Sequence, residues 1–301
     1  MRFVIRGLLW ILAAVFVLGH LGGGWYFSEE LIERDFEVSP AAIEVPSGDY
    51  ELNEVSYESR LGSLDAWHLP APGRIWVIHV HGKGATPAEA EHLFAPLQDA
   101  GYPQLAITYR NDAGQPEDPS GYYQYGLTEW QDVAGAVDFA QANGAGGVVF
   151  SGFGSGASHI LAYMYRHNLD VIRGVFMDSP NIDMADTVDY RVSMEPVPYL
   201  PITVPPTVTE IAKFIASLRI DINWRSIDYV EDAGITLQAP ALLQHGTGDA
   251  SVPIRQSIAF GEANPDLAEF VAYEDAAHVM LYEHDPGKYL SEVLGFLAEV
   301  D

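Results

Sequence analysis

Three spacings of apolar residues divide the 301-residue chain. From Gly7 to about Phe27 the sequence is apolar apart from His20, and a run of about 20 such residues is long enough to cross a bilayer as one helix. Asp49–Tyr57 and Gly62–Leu69 then alternate with a period of two, which predicts an antiparallel hairpin. Beyond Arg74 the pattern changes again. Arg74–Gly82 is a near-continuous apolar run, as expected of a strand covered on both faces, and Gln104–Tyr109, Gly147–Gly152, Ile172–Asp178, Ala239–Gly246 and Glu269–Tyr273 read as further strands. Helix-like stretches separate them: Pro87 to near Gly101, Thr128 to about Asn143, one opening at Ala157, Ile254 to Glu262, and Pro286 to Val300. Thr86 and Glu89 form a capping-box pair around Pro87 at the first helical position. Strands alternating with helices in this way predict an α/β fold with a mostly parallel central sheet and helices on both faces.

Residues 181–238 break the alternation. They hold the proline-rich stretch Glu195–Pro206 and an amphipathic helix over Val208–Leu218, and they read as a cap inserted after the sixth strand. The predicted organisation is an N-terminal anchor over 1–27, a linker over 28–47, and one domain over 48–301.

Charge and composition narrow the partners. The chain has 42 acidic and 15 basic residues, a net charge of −27, which repels phosphate backbones and argues against a nucleic-acid partner. There is no cysteine, so disulfides, thiolate chemistry and cysteine-ligated zinc are excluded. Arg2 and Arg6 precede the apolar run, which favours a cytoplasmic N-terminus and an exported remainder. The expectation is a single-pass protein of the cell membrane with its soluble domain extracytoplasmic. The alternative is a secreted protein with a cleaved signal peptide, but Gly19–Tyr26 lacks a small-x-small cleavage pattern.

The stretch with most chemistry is Val148–Ser158, a strand, a glycine-punctuated turn and a helix start. This is the layout of a G-x-S-x-G nucleophile elbow, whose central residue carries the attacking oxygen. Here Gly152-Phe153-Gly154-Ser155-Gly156 places glycine in the centre. Together with His81-Gly82-Lys83-Gly84, Thr128–Asp132, Asp178-Ser179-Pro180, His245–Asp249 and Ala277-His278-Val279, it resembles the α/β-hydrolase superfamily, in the branch of bacterial membrane-anchored serine hydrolases of esterase or serine-aminopeptidase type.

The resemblance spans about residues 48–300 and implies the order nucleophile, acid, histidine. The positions it matches are Gly154, Asp249 and His278. Asp249 would orient the imidazole and stabilise the imidazolium, and His278 would be the general base. Oxyanion-hole amides would come from Gly82 or Lys83 and from Ser155. Asp178 is a second candidate acid, and Ser155 an alternative nucleophile one residue out of register, with bulky Phe153 where the turn wants a small residue. His79 and His81 share a strand side and could touch a metal, but no carboxylate cluster completes such a site, so neither metal nor cofactor is expected. A small-molecule or lipid-like ester or amide is the implied substrate. The alternative is a catalytically dead module that binds such a ligand.

Overall fold

The computed structural model describes residues 2–32, 45–167, 170–197, 199, 201–230 and 237–301. Helix α1 (Arg2–Leu31) is a single helix that continues past Phe27. Leu31 and Ile32 are buried at its end. Within it, Ile5–Glu29 is long and apolar enough to cross a membrane, and its most apolar stretch is not covered by the rest of the protein. The stretch 28–47, expected as a linker, therefore begins inside α1, and its residues 33–44 lie outside the described ones.

Eight strands form one sheet: β1 (Asn53–Ser59), β2 (Gly62–Leu69), β3 (Ile75–Val80), β4 (Gln104–Ile107), β5 (Gly147–Phe153), β6 (Ile172–Asp178), β7 (Ala241–Gly246) and β8 (Ala268–Tyr273). Their spatial order is β1-β2-β4-β3-β5-β6-β7-β8. β2 is antiparallel to β1 and β4, and the other pairs are parallel.

The sheet explains the unbroken apolar runs. Successive side chains of a strand face opposite ways, and both faces of this one are covered. Trp76, Ile78 and Val80 of β3 enter a core with Phe150, Val133 and Ile160, beneath α3 (Trp130–Ala142) and α4 (Gly156–Met164). Ile75 and Val77 enter the opposite core with Phe94, Leu97, Val293 and Leu297, beneath α2 (Glu91–Asp99) and the C-terminal helix Pro286–Val300. Fully burying each such aliphatic or aromatic side chain stabilises the fold by about 1.5–3 kcal/mol.

Between β6 and β7 lie α5 (Met184–Met194), α6 (Pro206–Ile220) and a short 3-10 turn, Trp224–Ile227. Helix α5 is not separable from loop in the sequence pattern. It starts where the Asp183 carboxylate accepts the Asp186 amide at 3.0 Å, and it buries Thr187, Val188 and Val192. Helices α7 (Arg255–Ala263), α8 (Leu281–His284) and α9 (Pro286–Val300) complete the chain.

The register gathers the C-terminal strand ends. Val80 pairs with Gly152, Phe153 with Asp178, and Gly246 with Tyr273. In open α/β sheets this is the edge where ligands bind. A buried cation braces it: Arg110, just after β4, donates from Nε to Asp132 at 2.8 Å and from a terminal nitrogen to Asp118 at 3.0 Å. Its backbone amide also donates to Asp132, at 2.9 Å. These bonds join β4, the start of α3 and the 111–127 loop.

Candidate active site

The elbow after β5 is set by three glycines with two different physical roles. A Cβ on Gly156 would lie 2.1 Å from the Val80 carbonyl oxygen, so the helix start approaches β3 too closely for a side chain. A Cβ on Gly152 would meet Ile160 Cδ1 at 2.8 Å. Gly154 instead has φ +49°, in the left-handed region that glycine enters without penalty. Its amide donates to the Asp178 carbonyl at 3.0 Å, and its carbonyl accepts from the Asn181 amide at 2.9 Å. A Cβ there would point at His278, 3.3 Å from Nε2.

His278 sits after β8, 29 residues from Asp249, and the fold brings them together. The His278 Nδ1–Asp249 Oδ2 distance is 2.7 Å. His245, at the end of β7, approaches the same oxygen with Nε2 at 3.2 Å. The other oxygen accepts the Ser251 and Val252 amides at 2.7 and 2.8 Å. Burial by itself would raise the Asp249 pKa, but the hydrogen bonds from His245, His278 and the Val252 amide outweigh it and hold the carboxyl well below the usual range. The carboxylate is thus charged whenever an imidazolium could form beside it. Val279, next to His278, has φ +51°, a strained conformation for a β-branched residue. The Ser179 hydroxyl accepts its amide at 3.0 Å and so ties the histidine loop to the end of β6.

Asp178 stands apart from this pair. It is buried, and its Oδ1 accepts the Ser179 hydroxyl at 2.8 Å. Burial raises its pKa to about 8; the Ser179 hydroxyl opposes this, and the nearby charges of Glu89, Glu283 and Asp249 reinforce it. The unfolded chain releases this proton near pH 4, whereas the folded protein keeps it until about pH 8. Asp178 therefore makes stability fall as pH rises through that window. Asp178→Asn should flatten this part of the profile, measured by urea unfolding at pH 5 and pH 8. A variant whose stability falls between those pH values as steeply as the parent would contradict this.

Two of the three amides expected to hold an oxyanion, those of Gly82 and Lys83, already have side-chain acceptors. The Gly82 amide donates to Glu89 Oε2 at 2.7 Å, and the Lys83 amide donates to Ser155 Oγ at 2.7 Å. Glu89 thus realises only half of its capping box. Thr86 Oγ1 accepts the Ala88 amide at 3.3 Å, while the glutamate reaches across to Gly82. Burial raises the Glu89 pKa, opposed by the Gly82 amide, His81 and His278.

Ser155 Oγ also lies 3.5 Å from the Tyr123 hydroxyl, which is 2.8 Å from His159 Nε2 and 3.1 Å from the Tyr109 hydroxyl. Ser155 thus faces a tyrosine cluster, whereas position 154 faces His278. The Lys83 ammonium lies 5.7 and 5.9 Å from the rings of Tyr123 and Tyr125.

His79 and His81 turn to separate neighbours. His79 Nε2 is 3.0 Å from Gln104 Oε1, and burial lowers its pKa to about 3. His81 lies 2.9 Å from the Gly82 carbonyl and 3.0 Å from Asp112. Among the described residues no group of three or more His, Asp or Glu side chains is arranged to hold a metal ion.

The elbow, the histidine and the Gly82–Lys83 turn open on one cavity of about 1220 Å³. Gly82, Gly154, Ser155 and His278 line it together with Glu89. Met184, Val188 and Val192 of α5 and Phe27 and Leu31 of α1 supply apolar wall. This volume exceeds the roughly 300–1,000 Å³ usual for small-ligand pockets.

The sheet order, the elbow after β5, the aspartate after β7 and the histidine after β8 define the α/β-hydrolase fold. Solved structures agree. A Pyrococcus furiosus esterase superposes with a TM-score of 0.63 at 20% identity, over 85% of this chain and 97% of that one. An esterase from Thermogutta terrifontis gives 0.58 at 17% identity, over 82% and 99%. The Pyrococcus horikoshii acylaminoacyl peptidase gives 0.60 at 18% identity, over 84% of this chain and 41% of its own length. At these identities the likeness shows the fold. No family model matches the sequence, and no curated protein matches it.

Two residues of the site escape sequence reasoning. Glu89 reads locally as a helix cap, and His245 reads as the end of a buried strand. The signal for His245 is its spacing four residues before Asp249 in the turn after β7; Glu89 has no local signal toward Gly82.

Proposed function

We propose that the protein is a membrane-tethered, extracytoplasmic α/β hydrolase of ester- or amide-hydrolysing type whose site lacks an acylating nucleophile. In this reading residues 1–27 anchor the chain, 181–238 cap the pocket, Asp249 is the acid partner, and His278 is the base. One observation carries it: the side-chain direction at position 154 points at His278 Nε2 from 3.3 Å, and the residue there is glycine. An acyl-enzyme cannot form without an oxygen at that place. Turnover then runs through water. His278 Nε2 takes a proton from a water whose oxygen attacks the ligand carbonyl, Asp249 stabilises the imidazolium, and the proton passes to the departing alkoxide or amine.

A second reading, a ligand-binding module without turnover, is favoured by Glu89. A carboxylate on the Gly82 amide competes with a developing oxyanion for that donor. The test is fluorophosphonate labelling of the full-length protein with mapping of any adduct, beside p-nitrophenyl butyrate hydrolysis. We expect no adduct, and slow hydrolysis that His278→Ala abolishes. An adduct on Ser155 would overturn the reading. Ligand binding with no hydrolysis above buffer would select the binding module.

A further inference from the structure

Helix α1 does not merely precede the domain; it is locked onto helix α6. Gly23 and Gly24 let the helices meet: a Cβ on Gly23 would lie 3.1 Å from Val208, and one on Gly24 would lie 2.3 Å from Ile211. Arg219 donates to Glu29 at 2.7 Å, and its guanidinium lies 5.0 Å above the Trp25 ring. The Tyr125 hydroxyl donates to the Leu31 carbonyl at 2.8 Å. The orientation of the body relative to α1 is thereby fixed.

Beside this contact the protein leaves large apolar side chains uncovered. Phe214 and Leu218 of α6 are 63% and 71% exposed. They follow Ile211 at helical spacing (i+3, i+7) and so extend the α1-facing stripe sideways. Glu210, on the same helix, is held by Lys213 at 2.7 Å. Ahead of α6 the Pro196–Thr203 bridge closes a small hairpin, in which Tyr199 is fully exposed and Ile202 is 53% exposed. On the α1 side, Leu21, Trp25 and Tyr26 are exposed as well. Trp and Tyr are the residues enriched where a bilayer meets water.

We propose that the Phe214–Leu218 face of α6 and the Tyr199 hairpin rest in the headgroup layer of the bilayer that α1 crosses, so that the pocket receives amphiphilic ligands from that leaflet. The inference rests on α1 being a membrane anchor. The occupant is a lipid surface, because the exposed face is continuous with the side of α1 from which the span leaves the domain. Phe27 and Leu31, at the end of that helix, line the cavity itself. A chain of net charge −27 has no electrostatic attraction to anionic lipids, so the contact is apolar and forms on zwitterionic membranes.

The absence of cysteine makes a direct test possible. Phe214→Cys, Leu218→Cys and, as an exposed apolar control on α7, Ile258→Cys are labelled with an environment-sensitive fluorophore. The full-length proteins are reconstituted into phosphatidylcholine vesicles carrying shallow doxyl-labelled lipid. Quenching at 214 and 218 should exceed that at 258 by about twofold or more, as interfacial seating requires. Equal quenching at all three sites, with α1 intact by mass and the protein resistant to alkaline extraction, would overturn the inference and leave the anchor standing. Release of the protein at alkaline pH would overturn both.

Discussion

Gly154→Ser should acquire fluorophosphonate labelling at position 154 and hydrolyse p-nitrophenyl butyrate on the order of 10³-fold faster than the parent. The figure follows from two opposing magnitudes. A complete serine-histidine pair contributes roughly 10⁶ in turnover, while one oxyanion donor is worth about 10²–10³, and Gly82 has given its amide to Glu89. Combining Gly154→Ser with Glu89→Ala should recover most of that second factor. Adding His278→Ala to Gly154→Ser should abolish labelling, because the new hydroxyl would lose its base. The serine would occupy a left-handed conformation at a cost of about 1–2 kcal/mol. His278 would also have to yield slightly, since the added Cβ would stand 3.3 Å from its Nε2. Silence of both the single and the double variant, with folding intact, would mean that the histidine and aspartate are structural remnants.

The largest expected loss of stability lies away from the cavity, at Arg110. Its side chain is almost fully buried, as are Asp132 and Asp118, which accept from it. Removing one member of a buried ionic group costs about 3–5 kcal/mol, because the partners keep their charge with no counter-ion. Arg110→Ala leaves two carboxylates in that position, and Asp132 additionally accepts from the Ser59 hydroxyl of β1. A fall of about 3–5 kcal/mol in urea unfolding at pH 7 is expected, smaller at pH 4, where buried Asp118, no longer held low by the Arg110 guanidinium, takes up a proton more readily. An equal loss at both pH values would assign the effect to lost packing.

Much of this was legible in the chain, for identifiable reasons. The pattern of apolar runs marks the strands from β3 to β7 because a strand covered on both faces has no polar register, whereas β8, at the sheet edge, buries only Tyr273 and is marked by its short apolar core alone. The last helix, Pro286–Val300, is found at its stated bounds because proline at its start and an amphipathic body are local signals. Helix α5 is not, since only Thr187, Val188 and Val192 of its eleven residues are fully buried and they form no long apolar stripe.

The site divides in the same way. Asp249 and His278 occupy loops after strands, so their order along the chain already says which edge they share. Glu89 shows the limit. Its capping-box spacing is satisfied equally by a turn toward Thr86 or a reach toward Gly82, and only the packed fold selects between them. Arg110 and Asp132 lie 22 residues apart in different elements, with no periodic pattern to connect them.

The left-handed turn at Gly154 has an evolutionary reading. Glycine and serine codons of the GGC and AGC kind differ by a single base, as do those for glutamate and alanine. The close approaches at Gly152 and Gly156 that shape the turn are still in place. From a GGC or GGU codon at Gly154, the variant combining Gly154→Ser with Glu89→Ala lies two point mutations away, and neither step requires the elbow to be rebuilt.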